Sequence, residues 1–133
     1  MRILLIDDVY TTGSTMDVLA KLLLEKPDVA ACCSVLSQSS VMLAQALQQC
    51  GKAGRIFAVG SDVFAENMTA LQDKVLNNLV QKNPYAQGYL GIKTLVEYLV
   101  QGKAPEQNTI YVGSEVVFRS NAVMYDSGNF RGL

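Results

Sequence analysis

The 133-residue chain is half apolar, 17% charged and carries a formal net charge of −1, which argues against a disordered chain and against a basic surface for nucleic acid or an anionic membrane. A length of this order suits one domain with its own core. Histidine is absent, which removes the commonest general base and the commonest metal ligand together. The three cysteines, Cys32, Cys33 and Cys50, form no CxxC pair. They read as buried thiols of a reducing compartment.

Ile3–Ile6 is an all-apolar run of the kind expected for a strand buried on both faces. It is too short for a signal peptide or a membrane span, so a cytoplasmic protein is expected. A sequence that starts on a core strand also reads as a fragment, an excised domain or a chimera. Asp7 to Gly13 is polar and turn-rich. Ser14 or Thr15 then caps a helix to about Lys26, with Val18, Leu19, Leu22 and Leu23 on one face, and Pro27-Asp28 stops it. Val29–Leu36 is a second strand, followed by a Ser/Gln-rich turn at Ser37–Ser40. The next helix runs from about Val41 to Cys50, with Gly51 placed as its C-cap. Arg55–Val59 is a third strand ending in Gly60-Ser61-Asp62. After it come a helix over about Ala65–Asp73 and a short strand over Val75–Gln81. Asn83-Pro84 introduces the longest helix, about Tyr85 to Gln101, closed by Gly102. Its apolar positions Leu90, Leu95, Val96, Leu99 and Val100 recur at helical spacing. Thr109–Val112 and Glu115–Arg119 read as late strands.

Strands alternating with helices imply right-handed crossovers and an α/β fold with a doubly wound, mostly parallel sheet. Residues 1–125 form a single lobe, and 126–133 a polar, glycine-bearing tail. In open sheets of this kind ligands bind beyond the carboxyl ends of the strands. The polar residues that follow the strands are Asp7, Asp8, Ser37, Gln38, Ser39, Asp62 and Gln81. Carboxylates, amides and hydroxyls with almost no cation among them suit a small neutral polyhydroxylated ligand.

From about Asp17 to Tyr125 the sequence resembles the periplasmic-binding-protein-like domain of the lactose-repressor family and of ribose-type binding proteins. The matching stretches are Leu22 to Val29, Ala46 to Lys52, Ile56 to Asp62 and above all Val80-Gln81-Lys82-Asn83-Pro84-Tyr85-Ala86-Gln87-Gly88-Tyr89, continuing to Lys93. Gly102 to Pro105 and the strand ending Val116-Val117-Phe118-Arg119 follow in the same order. The resemblance implies one lobe of a two-lobed sugar sensor, with Asp62 and Gln81 contacting the ligand. The turn that usually carries Asn-Asp reads Ser37-Gln38-Ser39-Ser40 here. Residues 84–119 resemble elements that return to a first lobe missing from the sequence. Self-association, or that missing lobe, is the expected partner of the long helix.

Residues 3–15 carry a separate resemblance. Ile3-Leu4-Leu5-Ile6-Asp7-Asp8-Val9-Tyr10-Thr11-Thr12-Gly13-Ser14-Thr15 is similar to the phosphoribosyl-pyrophosphate loop of type I phosphoribosyltransferases. Two acids at a strand end can hold ribose hydroxyls or magnesium. Thr11, Thr12, Gly13, Ser14 and Thr15 offer hydroxyls and backbone N–H groups to a phosphate. Three readings follow. The leading one is a non-catalytic, cofactor-free sugar-binding lobe of a transcriptional regulator or solute-binding protein, making no direct nucleic-acid contact. The second is a phosphoribosyltransferase-like domain using magnesium through Asp7 and Asp8. The third is a chimera or fragment acting only as an interaction scaffold.

Overall fold

The computed structural model describes residues 2–6 and 14–128. Strand β1 (Arg2–Ile6) pairs in parallel with β2 (Val29–Ser34), β2 with β3 (Phe57–Ser61), and β3 with β4 (Asn78–Gln81). A short β5 (Glu115–Val117) closes the sheet antiparallel to β4, and the order in space is the order in sequence. Helices α1 (Ser14–Glu25), α2 (Ser37–Gln49) and α3 (Ala65–Gln72) make the crossovers. The longest helix, α4 (Pro84–Gln101), leaves the end of β4, and residues 103–114 lead back to β5.

The expected α/β lobe with a mostly parallel sheet is therefore present. Its winding runs in one direction only. Each right-handed crossover steps to the next strand on the same side, which stacks α1, α2 and α3 on one face. There Leu19 and Leu23 of α1, Leu43 and Leu47 of α2, and Leu71 of α3 pack on Cys32, Ala58, Leu79 and Val117 of the sheet. Among the described residues no second helical layer covers the opposite face. Ile3 and Leu5 of β1 are accordingly 66% and 63% exposed, where the all-apolar run led us to expect burial on both sides. Val18 is exposed too, because it lies off the Leu19–Leu23 stripe that meets the core.

Several boundaries shift for local reasons. The Ser37–Ser40 run is the first turn of α2 and not a loop. Ser39 and Ser40 both donate their hydroxyls to the Leu36 carbonyl, a short-range bonding pattern that suits these residues to a helix start. Strand β4 begins only at Asn78, since the N–H groups of Val75 and Leu76 still bond to the Ala70 carbonyl beyond α3. Thr109–Val112, expected as a late strand, forms no strand and lies in no sheet. Across the expected boundary between lobe and tail, Ala122–Gly128 forms a 3-10 helix whose Ala122 and Tyr125 are buried. The Tyr125 hydroxyl bonds to the Glu115 carboxylate. Burial, and then this carboxylate, push its pKa up to about 12.

All three cysteines are free, and only Cys32 is fully buried. Burial pushes its thiol pKa up to about 11, which leaves it an inert core group. No described helix is long and apolar enough to cross a membrane.

The core locates the stability. Leu47 is fully buried and Val100 is 77% exposed. Leu47→Ala should therefore cost about 2–5 kcal/mol, and Val100→Ala no more than about 0.5 kcal/mol. Urea unfolding followed by circular dichroism measures both.

Candidate functional site

Parallel pairing brings the carboxyl ends of β2, β3 and β4 to one rim. Strand β3 ends at Ser61, and Asp62 follows in the left-handed region at φ 64°, a conformation that aspartate tolerates better than most residues. Its N–H still bonds to the Val80 carbonyl at 2.9 Å, so the backbone stays tied to β4 while the carboxylate turns to the rim. Strand β4 ends in Gln81, only 7% exposed, whose Oε1 has no hydrogen-bond partner. Asn83, at φ 48°, then caps α4 by accepting the Ala86 N–H at 3.0 Å, and Pro84 fills the first helical position. These turns enclose a cleft of about 370 Å³ walled by Asp62, Phe64, Gln81 and Lys82, with Val63, Pro84 and Gln87 completing it.

Lys82 joins the three strand ends. Its ammonium lies 3.2 Å from Asp62 Oδ2 and donates to the Val35 carbonyl at 3.1 Å. The Phe64 ring, 59% exposed, offers an apolar wall. The cleft is thus an assembly of acceptors, one ion pair and one aromatic face. It has no imidazole or thiol among its lining groups.

A buried serine network holds this rim rigid. Ser34 Oγ and Ser39 Oγ share a hydrogen bond of 2.6 Å. Ser40 Oγ accepts the Ser61 N–H at 2.8 Å, and Ser61 Oγ donates to the Ser34 carbonyl at 2.9 Å. Asn67, fully buried on α3, reaches the Ser61 carbonyl with its Nδ2 at 2.9 Å and the Asp62 carbonyl at 3.2 Å. One helix start and two strand ends are locked together.

The structure brings Asp62 and Gln81 into one cleft. It does not bring Ser37, Gln38 or Ser39 there. Ser39 is buried, with its hydroxyl engaged by Ser34 and Leu36. Ser37 is half-buried, its carbonyl reached by Asn67 at 3.3 Å, and Gln38 is exposed on α2. The cause is the early start of α2, which turns this run into helix. Asp7, Asp8, Thr11, Thr12 and Gly13, and with them the expected magnesium ligands, lie outside the described residues. Ser14 and Thr15 lie in the first turn of α1. Among the described residues, no group of three or more His, Cys, Asp or Glu could hold a metal. The expectation of a rim nearly free of cations overlooked Lys82, although it adjoins Gln81 in sequence. Phe64, two residues after Asp62, was also missed, because nothing in its local pattern separates a cleft wall from a core aromatic.

A family model described as the periplasmic binding protein domain matches residues 8–104. The chain belongs to that family. Among solved structures, it resembles an ABC transporter solute-binding protein from Agrobacterium vitis with bound D-fucose, at a TM-score of 0.77 and 21% identity over 93% of this chain and 42% of that one. A carbohydrate transporter solute-binding protein from Agrobacterium radiobacter, in complex with D-arabinose, gives a TM-score of 0.73 at 22% identity, covering 86% of this chain and 37% of the other. A protein described as a LacI transcriptional regulator from Bacteroides fragilis gives 0.71 at 26% identity over 83% and 37%. The chain thus spans about two fifths of the length of these structures. No curated protein matches it at significant similarity.

The serine network makes a stability prediction. Ser40→Ala leaves the buried Ser61 N–H without its acceptor, which should destabilise the protein by about 1–3 kcal/mol. Ser37→Ala, with no side-chain bond among those described, should cost under about 0.5 kcal/mol. Paired denaturant titrations read the difference.

Proposed function

We propose that the chain is the ligand-binding lobe of a non-catalytic sugar sensor or carrier. It holds a small neutral polyhydroxylated ligand at the β3–β4 rim through Asp62 and Gln81 and needs no cofactor. The observation that carries this reading is Gln81 Oε1. A buried amide oxygen with no donor is costly in a resting structure, and the residue that carries it lines an open cleft beside a carboxylate. A sugar hydroxyl supplies the missing donor. Asp62 accepts from a second hydroxyl, Lys82 donates to a ring or hydroxyl oxygen, and Phe64 covers the apolar C–H face of the ring.

The solved relatives with D-arabinose and D-fucose support the ligand class. The family match begins at Asp8 and so runs through the stretch that resembles the phosphoribosyl-pyrophosphate loop, which favours the sensor over the transferase. In a regulator, such a lobe works in the cytoplasm. Ligand shifts its population toward a closed form that a partner module reads, and that partner makes any nucleic-acid contact.

Thermal unfolding against a panel of pentoses and hexoses tests the reading. A binding sugar at a hundred times its Kd should add about 2.7 kcal/mol, and Asp62→Ala should remove that gain. Gln81→Leu should lower affinity at least about tenfold while leaving the ligand-free protein no less stable, because it deletes an unsatisfied buried acceptor. Equal sugar stabilisation in Asp62→Ala overturns the assignment. So does stabilisation by phosphoribosyl pyrophosphate with magnesium alone, lost in Thr12→Ala.

A further inference from the structure

Asp62 owes its place in the cleft to a backbone conformation that does not hold itself. At φ 64° it stands in the left-handed region, where a residue other than glycine persists only when its surroundings keep it there. A residue's φ and ψ set how its two flanking peptide planes lie relative to one another. Whatever holds both planes therefore also fixes the direction of Cβ.

The plane before Asp62 is held at both of its polar groups. The Asp62 N–H donates to the Val80 carbonyl at 2.9 Å, and the Ser61 carbonyl accepts from Asn67 Nδ2 at 2.9 Å. The plane after it is held by the same nitrogen, which reaches the Asp62 carbonyl at 3.2 Å. One side-chain amide thus spans the left-handed residue. Asn67 is the third residue of α3. Helical side chains lean toward the N-terminus of their helix, which carries this amide back to the end of β3. A further bond, to the Ser37 carbonyl at 3.3 Å, braces it against the start of α2. Three carbonyl oxygens around one group also settle which end of the amide faces them, since only the nitrogen donates.

Stability alone does not call for this residue. Asn67 is fully buried and its Oδ1 has no partner, a costly state for a polar atom. Leucine has the same branched shape, forms helix more readily and buries no orphan oxygen. What it cannot do is donate. The carboxylate that the amide helps to orient lies 3.2 Å from the Lys82 ammonium, and Asp62 lines the cleft.

We propose that Asn67 is a positioning residue of the cleft: by tying the peptide groups on both sides of Asp62, its amide keeps that residue left-handed and its carboxylate turned to the ligand. Removing the amide releases the second plane. Asp62 then relaxes toward the extended region, which swings Cβ and the carboxylate off the rim. The effect on a ligand rests on the sugar-binding reading. The effect on Asp62 does not.

Nuclear magnetic resonance of the full chain reads the conformation directly. The backbone carbon shifts and Hα couplings of Asp62 report the sign of φ, and the Asn67 side-chain amide protons should exchange slowly in the wild-type protein. In Asn67→Leu the Asp62 signals should move to values of extended backbone, with circular dichroism unchanged. Asn67→Ala gives the same comparison should leucine not fit. For a sugar that stabilises the wild-type protein, Asn67→Leu should raise Kd about tenfold. In an Asp62→Ala background the same substitution should change Kd by less than about twofold. Leu47→Ala, which opens the fully buried core, should leave Kd as it was and so separates positioning from lost stability. Rapid exchange of the Asn67 amide protons in the wild-type protein, or Asp62 signals that stay left-handed in both variants, overturns the proposal. So does a loss of affinity that adds in full to that of Asp62→Ala, since Asn67 then acts by another route. Asp62 signals that move in a protein binding none of the sugars uphold the positioning role and count against the sugar reading alone.

Discussion

Parallel pairing of β1 to β4 is the constraint on which the remainder depends. It forces every crossover to return over the sheet, which creates the α1–α3 layer and its core. It also sends the carboxyl ends of neighbouring strands to one rim. Asp62 and Gln81 meet because β3 and β4 are adjacent and end at the same level, with Ser61 in register with Val80. Close approach between α2 and the sheet depends on the same geometry. A Cβ on Gly60 would stand 2.8 Å from Leu79 Cδ2 and 3.2 Å from Ser40 Cβ, so a side chain there would push apart the elements that shape the rim.

Polar groups at that rim divide by whether their bonds are complete. Ser34, Ser39, Ser40 and Ser61 are all buried, and their hydroxyls bond among themselves and to backbone. Their role is to stiffen. Gln81 Oε1 and Asn67 Oδ1 are the two buried side-chain atoms without partners among those described, and they differ in position. Gln81 lines the cleft and Asn67 does not. An unsatisfied acceptor beside open space is an invitation to a donor from outside. One sealed beneath the rim is a local cost against the three carbonyls that Asn67 reaches on its other side.

Much of the architecture was legible in the sequence, because period and punctuation are local signals. The α4 boundaries follow directly from Asn83-Pro84 and Gly102, whose left-handed caps the structure contains. Asp62 and Gln81 were legible as strand-end residues, since the rim rule needs only strand positions. What failed was non-local. The Ser37–Ser40 run looks like a loop in isolation. It becomes helix because the carbonyl of Leu36 collects hydroxyls from within the turn. Ile3 and Leu5 look buried by composition, yet their exposure depends on whether a second layer exists, which no strand encodes by itself. Thr109–Val112 has strand-forming residues and no neighbouring strand among the described residues to pair with. Lys82 could have been found from its place beside Gln81; its reach back to Val35 could not.

On the sugar-binding reading, the open side of the cleft limits how tightly this chain alone can hold a ligand. All its polar groups approach from one side, so a ligand resting there keeps its other side in water. Each hydrogen bond formed under those conditions contributes only about 0.5–1.5 kcal/mol net. Two or three of them barely offset the translational and rotational freedom lost on association, about 4 kcal/mol at the low end of the estimates. A second wall changes the balance twice over. It doubles the number of bonds, and by excluding water it strengthens those already made. The solved relatives are more than twice the length of this chain, enough for such a wall. Helix α4 starts at the edge of that cleft, where Pro84 and Gln87 form part of its wall, so a second wall closing over the ligand would meet the first turn of the helix.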